Sequence, residues 1–178
     1  MVRKQRTRAW MVGLVLGLAT CTTSVRSDDA KPSDMAKMKI SVEQARRQAE
    51  VLHSAMHATL QLTHHRYYRE DEGLPIPAAV VKQIFREVKD EQGVELRWLV
   101  VEGQAMNSEH KAKDDFERAA VKALLDGQPS HEQVADGFYR HAGPIRLGNA
   151  CLKCHVPDRK STTERRAGLI ISIPVNEK

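Results

Sequence analysis

Cysteine is scarce. Three residues in 178, at positions 21, 151 and 154, cannot make a disulfide scaffold. Aromatic residues are only 4% of the chain, and no basic stripe is interleaved with them, which excludes a nucleic-acid surface. The net charge of +5 does not restore that reading. Four of the five charges are Arg3, Lys4, Arg6 and Arg8, so the rest of the chain is within one charge of neutral. Ten Gly and seven Pro are too few for a fibrous protein. There are no internal repeats and no low-complexity blocks. With 41% apolar and 29% charged residues, what remains is a chain able to bury a core of ordinary size as one domain.

The N-terminus has the three-part layout of a secretory signal. Residues 1–8 are basic, residues 9–20 are apolar, and small and polar residues follow. The apolar run falls short of the roughly 20 residues that a permanent membrane helix needs. Leu18-Ala19-Thr20-Cys21 resembles a bacterial lipoprotein box, in which Cys21 would be acylated. The competing cut follows Ser27. The expected organisation is a signal over 1–27, a flexible linker over 28–40 and one domain over 41–178, exported to the periplasm and tethered to a membrane if Cys21 carries lipid.

Ser41 and Gln44 have capping-box spacing, and a helical pattern runs from there to about residue 70, where Gly73, Pro75 and Pro77 end it. A second helix is expected over 78–90, with Val81, Ile84, Phe85 and Val88 at helical spacing. Residues 94–101 read as a strand. A third helix starts at Asp114 or Asp115 and ends before Gly127. Asp136-Gly137 marks a hairpin turn between strands at 133–135 and 138–140, and 168–174 is a final strand. This order implies an α+β domain with a small antiparallel sheet.

Cys151-Leu152-Lys153-Cys154-His155 is C-x-x-C-H, the attachment sequence for c-type haem. Two thiols three residues apart on a helical turn face the same way and can add to the two vinyl groups of one porphyrin. The adjacent His155 then brings an imidazole to the iron as proximal ligand. A zinc site would need a fourth ligand and a second pair of cysteines. A thioredoxin-like pair would open a long helix, which Pro157 forbids here. The expected cofactor is one covalently attached haem c.

A second axial ligand must come from elsewhere. On a helical wheel of residues 41–68, Ala45, Ala49, Leu52, Met56, Leu60 and Tyr67 share one face. His53, His57 and His64 lie along its edge within about 40° of one another. His64 is the preferred iron ligand, because Tyr67 and Tyr68 can wall the pocket beside it; His57 and His53 are alternatives, and Met106 and Met56 the remaining ones. Arg140, His141 and Arg146 precede the motif, and the two arginines offer forks for haem propionates. His110 and His131 read as surface residues.

These pieces resemble a bacterial and cyanobacterial family of exported single-haem c-type proteins with a PAS-like fold, which also serves as the sensory part of some membrane histidine kinases. The matching stretches are Asp115-Phe116-Glu117-Arg118-Ala119, Asp136-Gly137-Phe138-Tyr139, Pro144-Ile145-Arg146-Leu147-Gly148 before the motif, and Gly168-Leu169-Ile170-Ile171-Ser172-Ile173-Pro174. The resemblance implies a long N-terminal helix packed on an antiparallel sheet with haem between them. It also implies thioethers at Cys151 and Cys154, and His155 as proximal ligand. Some relatives are thought to use a cysteine thiolate from the N-terminal helix as distal ligand. This chain has no cysteine between 21 and 151, so the histidines remain.

Three functions fit such a centre. A haem with two protein ligands carries electrons to and from a redox partner protein, and this is the expected role. The alternative is a redox or gas sensor that signals through a partner. A peroxidase-like enzyme needs an open distal site, for which the sequence does not argue.

Overall fold

The computed structural model describes residues 39–176 except 104, 106 and 156–159; the side chains of Glu70, Cys154 and His155 also lie outside the described set. The expectations for the signal, the linker before residue 39, Cys21 and Met106 fall on residues that are not described.

The chain folds as α1 (Val42–Arg66), α2 (Pro77–Gln92), β1 (Glu95–Val100), α3 (Asp115–Leu125), β2 (His131–Ala135), β3 (Phe138–Leu147), α4 (Asn149–His155) and β4 (Arg165–Pro174), with single 3₁₀ turns at Glu70–Glu72 and Ser108–His110. The four strands form one antiparallel sheet in the order β1-β4-β3-β2. The α+β expectation holds. Among the described residues no helix is long and apolar enough to cross a membrane.

Local chemistry accounts for most boundaries. The Ser41 hydroxyl accepts from the Gln44 N–H at 3.2 Å, and the Gln44 side chain accepts from the Ser41 N–H at 3.0 Å, so the capping box that starts α1 is formed. Pro77 opens α2, where a missing N–H is harmless, and Gly93 closes it at φ 67°. Asp114 caps α3 by accepting from the Glu117 N–H at 2.8 Å. Asp136 and Gly137 both have positive φ, the twist a two-residue hairpin needs.

β3 runs farther than the sequence signals. It continues to Leu147 through Pro144, which pairs with Gly168 of β4. β2 pairs with β3 only as far as Ala142, so the far half of β3 is an edge strand, where a proline's missing donor costs no ladder bond. β4 likewise begins at Arg165 rather than Gly168.

The sheet has helices on both faces. Leu96, Trp98, Tyr139, Ile145, Leu169, Ile171 and Ile173 pack under α1 and α2 with Ala45, Ala49, Leu60, Val81 and Phe85. Leu99, Ala142 and Ile170 point the other way, onto Phe116, Ala120 and Leu124 of α3. Each buried aromatic contributes on the order of 2–3 kcal/mol of burial. Trp98 also meets Phe85 at 4.8 Å between ring centroids and donates its indole N–H to Ala78 O at 3.1 Å, so its polar end is satisfied. The two ends of the domain meet where Ile40 bridges in parallel to Val175.

Candidate functional site

A cavity of about 230 Å³ opens between the C-terminal third of α1, the start of α2, the edge of the sheet and α4. Leu60, Trp98, Leu99, Ile145, Leu147 and Ala167 make its walls apolar. Polar groups enter at a few points: Gln61 and His64 from α1, Lys82 from α2, Asn107 and His110 from the loop after β1, and Arg146 from β3. Cys151 completes the lining.

α4 begins where Gly148 O accepts from the Cys151 and Leu152 N–H groups at 2.9 and 3.1 Å. This short helix carries Cys151, Cys154 and His155 on its backbone, as the motif requires, and it packs against α1 and β3. Cys151 is buried with Leu147 and Leu152. The side chains of Cys154 and His155 belong to the residues not described.

His64 reaches the cavity from the opposite element. Its Nδ1 lies 3.1 Å from Leu60 O, one turn back on the same helix. A carbonyl can only accept, so this bond places the ring proton on Nδ1 and leaves the Nε2 lone pair for a ligand. A backbone carbonyl holding the second nitrogen is how ligating histidines are commonly oriented. Tyr68 packs beside the ring at 5.6 Å between centroids.

Several expected site residues lie elsewhere. Tyr67 is 73% exposed and lines a separate apolar groove with Leu74, Val80 and Ile84. It caps α1, past the point where the helical wheel applies, so Tyr68 alone flanks His64. Arg140 is held by Asp114 at 2.8 Å and by Glu117 at 3.3 Å, with its guanidinium 4.2 Å from the centroid of the Phe116 ring. These partners all belong to α3 and its cap, and Arg140 is not among the residues that line the cavity. Arg146 does line the cavity, where Gln61 donates to its carbonyl at 2.7 Å. His110 is half-buried in the cavity wall rather than on the surface, and His131 packs on Phe116. Lys82 gave no signal as a site residue beyond its place on the polar side of α2.

His53 and His57 are not in the cavity. They form a row with His141 of β3, with ring centroids 6.1 Å apart for His53–His57 and 5.8 Å for His53–His141. His53 sits over Gly143: a Cβ there would lie 2.5 Å from His53 Nε2, so the glycine makes room for the ring. The Nε2 atoms of His53 and His57 and the Nδ1 of His141 are buried without a well-aligned hydrogen-bond partner among the described residues. Burial holds His53 neutral, and His141 and His57 add to this, lowering its pKa to about 4. Burial also lowers His57, helped by Arg146, and lowers His141 against the pull of Glu132. The Glu132 carboxyl resists ionisation by its partial burial. The Arg46 hydrogen bond and charge, with the Tyr139 hydroxyl, outweigh that and keep it below the usual range.

Residues 38–170 match the Tll0287-like family, and the chain belongs to that family. Among solved structures it is similar to the crystal structure of the cyanobacterial heme-protein Tll0287, with a TM-score of 0.51 and 15% identity over 75% of this chain and 98% of that one. At that identity the likeness concerns the fold. No curated protein matches the sequence.

Proposed function

We propose that this family member is an exported, PAS-like c-type haem protein that carries electrons outside the inner membrane and is not an enzyme. Cys151 and Cys154 would hold the haem through thioether links, and His155 and His64 would supply its two protein ligands. One observation carries the reading: the first cysteine of C-x-x-C-H and a histidine with an oriented lone pair line the same apolar cavity from opposite elements.

The residues present suit the group. The cavity's walls exclude water, while Lys82 and Arg146 supply positive charge for two propionates. The enclosed volume is below the roughly 300–1,000 Å³ of small-molecule sites, so part of a porphyrin would lie at the mouth. Bound there, haem supplies a one-electron couple whose potential depends on the axial ligands and the dielectric around it. Leu60 O fixes the His64 tautomer and the orientation of its ring. With His155 and His64 both ligating, the bound group would keep no open position for a substrate.

Absorption spectra of the exported protein, oxidised, reduced and reduced under carbon monoxide, together with a denaturing gel stained for haem, test this. Covalent haem that ignores carbon monoxide is expected. His64→Ala is expected to open one position, so that the reduced variant binds carbon monoxide. An unchanged His64→Ala spectrum would remove His64 as ligand. Rapid carbon monoxide binding by the unaltered protein would favour the sensor reading. Absence of covalent haem from a host with working attachment machinery would end the proposal.

A further inference from the structure

A second depression, of about 320 Å³, adjoins the cavity on the outer side of α2. Its floor is apolar and buried: Phe85, Leu96 and Trp98. Its rims are basic. Lys82, Arg86 and Lys89 fall at i, i+4 and i+7 on α2, hence in one stripe, and Lys113 faces them from the loop before α3. The two acidic groups in the groove are each taken by a lysine, Glu95 by Lys89 at 2.8 Å and Glu109 by Lys113 at 2.8 Å. Arg97 pairs with Glu117. Lys82 and Arg86 have no ion-pair partner among the described residues.

Two further observations say what the groove attracts and why its position matters. The Glu109 carboxyl is held below the ordinary carboxylate range. The Lys113 hydrogen bond and charge are the main cause, and Arg97 and Lys82 add to it. A fully exposed carboxylate thus already registers a positive field there. Lys82, Trp98 and His110 also wall both the groove and the cavity. Whatever docks in the groove meets residues that also line the cavity, Trp98 among them.

We propose that this groove is the docking face for an acidic electron-transfer protein. The partner's carboxylates pair with Arg86, Lys89 and Lys113, and its redox centre comes up against the Trp98 wall. The inference rests on the haem reading and names the partner of that site. One electron leaves the partner's reduced centre and one arrives at the haem iron; no bond forms or breaks. Exposed pairs such as Lys89–Glu95 contribute little, so their exchange for the partner's carboxylates is nearly neutral. Complementary charge acts mainly on the rate of encounter and is screened by salt.

The test is stopped-flow reduction of the oxidised holoprotein by a flavodoxin hydroquinone, an acidic one-electron donor, at rising ionic strength. The wild-type rate is expected to fall about tenfold from low to physiological salt. Arg86→Glu/Lys89→Glu should be about tenfold slower at low salt, with a flattened salt dependence. Arg118→Glu/Lys122→Glu makes the same change in net charge on α3, across the sheet, and should stay within about twofold of wild type. Equal slowing of both double variants, or none in the groove variant, would overturn the proposal. If the groove variant misfolds by circular dichroism, Arg86→Gln replaces it, with about threefold slowing expected and no slowing counting against the docking site. The haem absorbance of each sample is read first. If haem is missing, the function reading fails, and the groove is judged instead by amide shifts of the apo chain on adding oxidised flavodoxin. Shifts at Arg86, Lys89 and Lys113 would support docking, and none would overturn it.

Discussion

The two faces of the sheet treat buried polar groups in opposite ways. On the α3 face, Glu117 is only 2% exposed, yet it accepts the Lys113 N–H at 2.6 Å and pairs with Arg97 and with Arg140, which Asp114 also holds. Charge there is matched, and the network ties β1, β3 and the α3 cap together. On the α1 face, three histidines held neutral by burial meet at the helix–sheet contact, with Glu132 no nearer than 3.6 Å to the His141 ring, and a cavity is left beyond them. The lesson is a division of labour: one face fixes the architecture, and the other keeps protonatable groups and space.

The largest expected effect comes from breaking the matched face. Glu117→Ala leaves Arg97 without a carboxylate and Arg140 with Asp114 alone, and should lower the unfolding free energy by about 3–5 kcal/mol, read from urea melts. Its haem spectrum should be unchanged if the faces are independent, since every Glu117 partner named above lies away from the cavity lining apart from the shared sheet.

Acid should act on the opposite face. Each histidine of the row has a folded pKa below its unfolded value, so the unfolded chain binds more protons as pH falls. Stability is therefore complete above about pH 6.5 and declines towards pH 4, where His53 itself protonates. Allowing for partial exposure, His53 accounts for about 2 kcal/mol of that decline. His53→Leu should flatten the profile over that window. An unaltered profile would show that the row does not control acid sensitivity.

An effect of similar size should come from Gly143→Ala. The new Cβ would collide with the His53 ring, at a cost of about 1–3 kcal/mol in urea melts. Combined with His53→Ala the cost should largely vanish, a coupling that a general strand effect would not produce.

Much of the architecture was legible because it is written locally. The Ser41–Gln44 box, the Asp136-Gly137 turn and the glycines after α2 and α3 each act within a few residues. The length of β3 was not legible, because tolerance of Pro144 depends on β2 ending opposite Ala142. The C-x-x-C-H reading came from spacing alone. Choosing among the α1 histidines needed the third dimension. His53 and His64 share an edge of the helical wheel but differ by about 16 Å along the axis. β3 presents Gly143 at one height, and α4 presents Cys151 at the other. Arg140 and Arg146 looked equivalent for a related reason: six residues apart, they alternate onto the same face of β3. Only the fold shows that Asp114 and Glu117 wait beside Arg140 while Arg146 lies at the cavity end of the strand.

The Ile40–Val175 bridge fixes where the chain enters the domain, and α1 then runs from Val42 towards His64. At 1.5 Å per residue that is about 33 Å, comparable to the roughly 30 Å apolar thickness of a bilayer. α1 therefore sets the cavity almost a full helix length from the point where the chain enters the domain, while the basic groove reaches back along β1 to Glu95, opposite Ser172 and close to that entry.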